Sequence, residues 1–197
     1  MRSLLFTKPL KQLPEKLFYK TQTTINDAVH DKNSQCRTYP AFQYTAINTK
    51  TNEYAGKMIA APLEYANPAK RFYPYNKPYR SFYISYLKSE EPYKGFGRAF
   101  IELAKTESKN YNCEGRIHLI ASRLYDRNNP PHIFYKKCGF ISNSNIMNKY
   151  LDSCIQLQKQ ISFYMSDNLD MFLPIKPTAK KSVSKLSALF NYIRNLI

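Results

Sequence analysis

The chain has no tryptophan, only five glycines, and 14 acids against 30 lysines and arginines, giving a formal charge of +16. The shortage of acids predicts a basic surface, which favours polyanions: RNA, DNA, anionic lipid or the phosphates of a small ligand. Its four cysteines, Cys36, Cys113, Cys138 and Cys154, are widely spaced and form no C-x-x-C pair. That argues against a disulfide framework and against a zinc or other metal site, and for a reducing, cytoplasmic setting. No apolar run reaches 18 residues, so no transmembrane segment is expected. The apolar run at the start, Leu4-Leu5-Phe6, is too short for a signal peptide, and a soluble protein follows. Two phosphate motifs are also missing. Three residues after Gly97 stands Phe100 where a dinucleotide fingerprint needs glycine, and no Gly-Lys-Ser/Thr marks a P-loop.

What remains is 43 % hydrophobic and rich in tyrosine and phenylalanine, a composition that predicts a globular chain with one main core. The informative stretch is 82–140. Residues 81–87 (SFYISYL) alternate strand formers, and the run stops at Lys88-Ser89-Glu90-Glu91-Pro92. Tyr93-Lys94-Gly95-Phe96-Gly97-Arg98-Ala99 then leads into a helical stripe of Phe100, Ile101, Leu103 and Ala104. A strand, a short glycine-bearing loop and a helix aim free N–H groups and a positive helix end at one point, which suits a phosphate. Residues 116–122 (RIHLIAS) read as a buried strand parallel to the first, completing a right-handed crossover. Pro130-Pro131 opens a short helix that Gly139 ends.

Elsewhere, 3–7 reads as a strand and 14–31 as a helix, with Leu17, Phe18, Thr21, Ile25, Ala28 and Val29 on one face. Residues 41–48 and 53–60 read as an antiparallel hairpin. The stretch 62–79, with four prolines among aromatics and bases, reads as a surface loop. A further helix is expected within 143–161, then closing strands at 163–165 and 170–175. The composition turns basic at Lys176, dividing the chain into a main domain, 1–175, and a basic linker with a C-terminal amphipathic helix, 176–197. That helix suits an anionic membrane, a partner, a second copy in a homodimer, or the domain itself.

Two ordered motifs resemble those of the GNAT superfamily of N-acetyltransferases. Pro92-Tyr93-Lys94-Gly95-Phe96-Gly97 stands for the pyrophosphate loop Q/R-x-x-G-x-G/A, with Pro92 replacing Gln or Arg. Asn128 to Phe140 stands for N-x-x-A-x-x-F-Y-x-K-x-G-F, with Pro131 replacing alanine. The resemblance implies an α/β (α+β) fold with a mixed central sheet, a splayed parallel strand pair and helices on both faces. It implies acetyl-CoA as cosubstrate and a primary amine as acceptor, whether a small molecule, a protein or an aminoacyl-tRNA. The backbone near Leu87 would hold the thioester. Tyr93, Lys94, Gly95, Phe96, Gly97, Arg98 and Ala99 would hold the pyrophosphate, and Asn128 the pantetheine arm. Tyr135 would protonate the departing thiolate. Leu17 to Val29 of the helix 14–31 would form one wall of the acceptor site. No general base is readable among His118, Glu53, Glu64 and Glu90. The alternative is a non-catalytic basic protein on the same scaffold that engages nucleic acid or anionic membrane.

Overall fold

The computed structural model describes residues 12–13, 16–27, 37–65, 79–90, 95–122, 130–159 and 168–174. Five strands come first: β1 (Gln12–Leu13), β2 (Lys16–Asp27), β3 (Arg37–Asn48), β4 (Glu53–Tyr65) and β5 (Tyr79–Ser89). Then follow α1 (Phe96–Asn110), β6 (Ile117–Ser122), α2 (His132–Lys137), β7 (Ile141–Ser142), α3 (Asn145–Gln156) and β8 (Asn168–Leu173). The fold is mixed α/β: among the described residues, three helices accompany one mixed sheet whose strand order is β1-β2-β3-β4-β5-β6-β8-β7. β5 and β6 run parallel, and every other described pair is antiparallel. No described helix is long and apolar enough to cross a membrane.

The helix expected at 14–31 is strand β2 instead, paired with β3 from Lys16↔Asn48 to Asp27↔Arg37. Its buried residues explain the misreading. Phe18 belongs to the core under the helices and Ile25 to a cluster on the other face, so the apparent stripe mixed two sides of one strand. Tyr19, Thr21, Thr23, Thr24 and Ile25 are all strand formers, and tertiary pairing fixed that preference. The acceptor wall assigned to this segment is therefore not helical over Lys16–Asp27.

The hairpin β3–β4 is as expected, turning through 49–52, where Asn52 takes a left-handed conformation (φ 57°) and its N–H bonds to Asn48 O at 2.7 Å. Both strands outrun the predicted limits. β4 continues to Tyr65 and β5 begins at Tyr79, so the predicted loop shrinks at both ends; 66–78 lie outside the described residues, as do the expected strands at 3–7 and 163–165 and the tail from 175 on. Prolines set the limit of the β3–β4 ladder. It stops at Phe42↔Ala60, two positions short of Pro40 and Pro62, which would oppose each other without a single N–H between them.

Most of the core lies between the sheet and the helices. Phe18, Tyr44, Met58, Phe82, Ile117, Leu119 and Met171 meet Phe100, Ile101 and Leu103 of α1, Tyr135 of α2 and Leu151 of α3. Burying a side chain of this size stabilises the fold by about 2 kcal/mol. The second cluster, Ile25, Ala41, Ala61, Leu63 and Tyr83, takes nothing from a described helix, so helices on both faces are not seen among the described residues.

A buried polar knot fastens the C-terminal end of α1. Lys20 of β2 makes an ion pair with Glu107, which is 2 % exposed, and donates to Tyr111 Oη at 2.7 Å. Tyr44 Oη donates to Glu107 Oε2 at 2.7 Å, and Asn110 Nδ2 to Oε1 at 3.0 Å. Burial alone would raise the Glu107 carboxyl; the bonds from Lys20, Tyr44 and Asn110 outweigh it and hold the group below the ordinary glutamate value. Tyr111 in turn stacks on Phe42 and Phe82, at 5.0 and 5.9 Å between centroids, so α1 is fixed over the paired part of β5.

Candidate active-site cleft

β5 and β6 pair at only three positions, Phe82↔Ile117, Tyr83↔His118 and Ile84↔Leu119. Beyond them β5 follows β4 as far as Ser89, while β6 follows β8 through Ile120↔Asp170 to Ser122↔Asn168. A bulge begins the parting. Ile59 pairs with Tyr86 but Ala60 with Ile84, which leaves Ser85 as an extra residue whose Oγ donates to Ile59 O at 3.2 Å. An extra residue on one strand bends it and adds twist. Between the separated strands lies a cavity of about 590 Å³, lined by Ile84–Ser89 of β5, Ile120 and Ser122 of β6, and Pro131 and Tyr135 of α2.

α2 closes one wall. Pro131 is its N-cap with φ −71°, a value proline favours, and its carbonyl accepts from Tyr135 N at 3.0 Å. Tyr135 packs edge-on against Phe134 and Phe140, at 5.2 and 5.7 Å, and only 7 % of it is exposed. Burial pushes its phenol well above the ordinary tyrosine value, so the hydroxyl keeps its proton at neutral pH and can act as a donor. Gly139, with φ +93°, ends the segment as expected.

The start of α1 stands beside α2. Gly95 caps it in a left-handed conformation (φ 76°), and the first helical bond runs from Ala99 N to Gly95 O at 3.0 Å. The N–H groups of Phe96, Gly97 and Arg98 precede that bond and have no intrahelical partner. The first turn holds no acid and no side-chain cap, while Arg98 is exposed. Lys16 of β2 adds a cation, its Nζ 5.0 Å from the Phe96 ring centroid. A Cβ added at Gly95 would stand 3.1 Å from the same Nζ. A positive helix end flanked, among the described residues, by two cations suits an anion.

The residues picked out from sequence thus divide. Tyr135 and Leu87 both line the cavity. Gly95, Gly97 and Arg98 form the open first turn of α1, but Phe96 and Ala99 send their side chains into the core and leave only backbone for a ligand. Gly97 has a further reason to be glycine: a Cβ there would meet the Phe134 ring at 3.0 Å, so this position is where α1 and α2 touch. Tyr93, Lys94 and Asn128 lie outside the described residues. His118 is not in the cleft. It sits in the paired half, stacked on Tyr83 at 4.8 Å with Nδ1 2.9 Å from Ser81 Oγ. Glu64 is at the far end of β4, paired with Arg80. Sequence reasoning missed Ser85, Tyr86, Lys88, Ile120, Ser122 and Lys16, because register and bulges place them and neither is written in local pattern. Among the described residues no three His, Cys, Asp or Glu side chains gather as metal ligands.

No family model and no curated protein matches the sequence. Among solved structures, the chain is similar to one titled "Crystal structure of bacterial toxin", at 12 % identity over 68 % of each chain and a TM-score of 0.46. It is also similar to one titled "Putative GnaT-family acetyltransferase from Bordetella pertussis", at 14 % identity over 68 % of this chain and 65 % of that one, with a TM-score of 0.33. Likeness this distant gives no residue equivalences.

Proposed function

We propose that the chain is an acyl-CoA-dependent N-acetyltransferase of GNAT-like architecture, moving an acetyl group to a primary amine. One observation carries the reading: a parallel strand pair that parts after Ile84↔Leu119 into a cavity with a protonated tyrosine in its wall. The motif order in 92–140 supports it independently.

The residues fit the proposed cosubstrate. The open N–H groups of Phe96, Gly97 and Arg98, with the Arg98 and Lys16 side chains, would bind the pyrophosphate. The cleft side of β5 from Tyr86 to Lys88 pairs with no described strand and would offer backbone groups to the amides of the pantetheine arm. Acetyl-CoA, when bound, supplies the activated carbonyl. The amine nitrogen forms the new C–N bond as the C–S bond breaks, Tyr135 donates its proton to the leaving sulfur, and the nitrogen loses its extra proton to water or an unassigned base. Backbone N–H groups at the Ser85 bulge would steady the carbonyl oxygen.

The test is thiol release from acetyl-CoA in the presence of a pool of primary amines, with products weighed by mass spectrometry. Amine-dependent release with an added acetyl mass is expected. Release without any acetylated amine, or no release, would overturn the assignment.

A further inference from the structure

The sheet face away from the helices carries a second feature at the same cleft. Ile84 and Leu87 pack into the helix-side core, and strand alternation sends Tyr86 and Lys88 to the opposite face. There Lys88 pairs in register with Lys57 of β4, and Tyr86 with Ile59. Two lysines thus occupy directly opposed positions on neighbouring strands. Lys57 Nζ lies 5.1 Å from the Tyr86 ring centroid, and no acid among the described residues pairs with it. Lys88 is bonded to Glu90 at 2.9 Å, which raises its pKa. Tyr54 completes the group: burial, then the nearby Glu90 and Tyr86, raise its phenol, so it too stays a neutral donor. Among the described residues, Glu90 is bonded to Lys88 while Lys57 lies over the Tyr86 ring, and Tyr86 and Lys88 line the cavity itself.

We infer that Lys57 and Lys88 recognise a negative group on the acceptor, so that the substrate class is an amine carrying a phosphate or carboxylate. This rests on the N-acetyltransferase reading. α1 begins on the helix side, so the phosphates of acetyl-CoA are taken up there, and the amine arrives from the opposite face, past Lys57, Tyr86 and Lys88. A polycationic amine meets like charge on that path. An anionic one offers Lys57 a counter-charge and can accept hydrogen bonds from Tyr54 and Tyr86.

The experiment compares O-phosphoethanolamine, β-alanine, ethanolamine and spermidine at saturating acetyl-CoA. It uses the full chain and the double variant Lys57→Gln/Lys88→Gln, and acetyl-CoA binding is measured on both by calorimetry. The expected result is a kcat/KM at least about tenfold higher for one or both anionic amines than for ethanolamine, with spermidine the poorest. Which anionic amine leads separates phosphate from carboxylate. The double variant should flatten the series while still binding acetyl-CoA. Equal or better use of ethanolamine or spermidine, a ranking that survives in the double variant, or no acetylation of any member by protein that binds acetyl-CoA would overturn the inference. Absence of acetyl-CoA binding is a different failure, and removes the enzyme reading on which the inference stands.

Discussion

β5 and β6 are each two strands in one. In their first halves, Phe82, Tyr83 and Ile84 face Ile117, His118 and Leu119 in a parallel ladder, and all six side chains are buried. In their second halves, Ser85–Ser89 and Ile120–Ser122 do not continue that ladder, and the space between them is a cavity edged by serines, a lysine and two tyrosines. The lower half is made of stability and the upper half of access. A sheet normally closes its ladders because unpaired backbone groups are costly; leaving one open for half its length makes sense where a ligand with amides of its own takes the missing places.

If the halves differ in this way, substitutions should sort by half. Phe82→Ala, in the paired half, removes a fully buried ring that stacks on Tyr111, and should lower unfolding stability by about 3–5 kcal/mol in urea titration. A loss below about 1 kcal/mol would put the core elsewhere. Glu107→Gln, which breaks the knot above that half, should cost about 3 kcal/mol near neutral pH because the charge of Lys20 loses its partner. Its pH dependence has a definite sign. The carboxyl of the folded state lies below the ordinary value of 4.5, so its contribution is present above that value and is lost as pH falls through the folded one. The two proteins should therefore converge in stability at acid pH, and a gap independent of pH would contradict the ion-pair account.

The open half should respond in activity rather than stability. Tyr135→Phe keeps the ring against Phe134 and Phe140 and removes only the proton donor. Turnover should fall about 10²-fold while acetyl-CoA affinity holds. Undiminished turnover at a saturating acceptor would assign Tyr135 to packing. The smallest effect is expected at the seam between α1 and α2. Gly97→Ala gains helix propensity but presses a methyl on the Phe134 ring, for a net loss of about 1 kcal/mol that Phe134→Leu should relieve.

The parts legible in sequence were those set by local pattern. The stripe of α1, the apolar run of β6, the proline-led α2 and the hairpin β3–β4 all fall where periodicity and turn chemistry put them. β2 was not legible. Over a dozen residues, an apolar spacing of four fits a helix face as well as it fits two sides of a strand, and the partner β3 decides. Tyr135 could be picked because a motif marks it, and Leu87 because the resemblance implies a thioester site at the end of the first strand. Ser85, Tyr86 and the facing lysines could not, since a one-residue bulge between Ile59 and Ala60 determines which side chains meet across β4 and β5. Gly97 was read as making room for phosphate, yet the atom nearest its missing Cβ belongs to Phe134.

The open half of the β5–β6 pair is tested most directly by calorimetric titration of the protein and of Ile120→Trp with acetyl-CoA. Ile120 lines the cavity from β6, and an indole there would fill the space between the strands without touching the paired half. Saturable binding with one site per chain, lost or weakened at least about tenfold in a folded Ile120→Trp protein, is what the cleft predicts. No heat from either protein, or equal affinity in both, would contradict it.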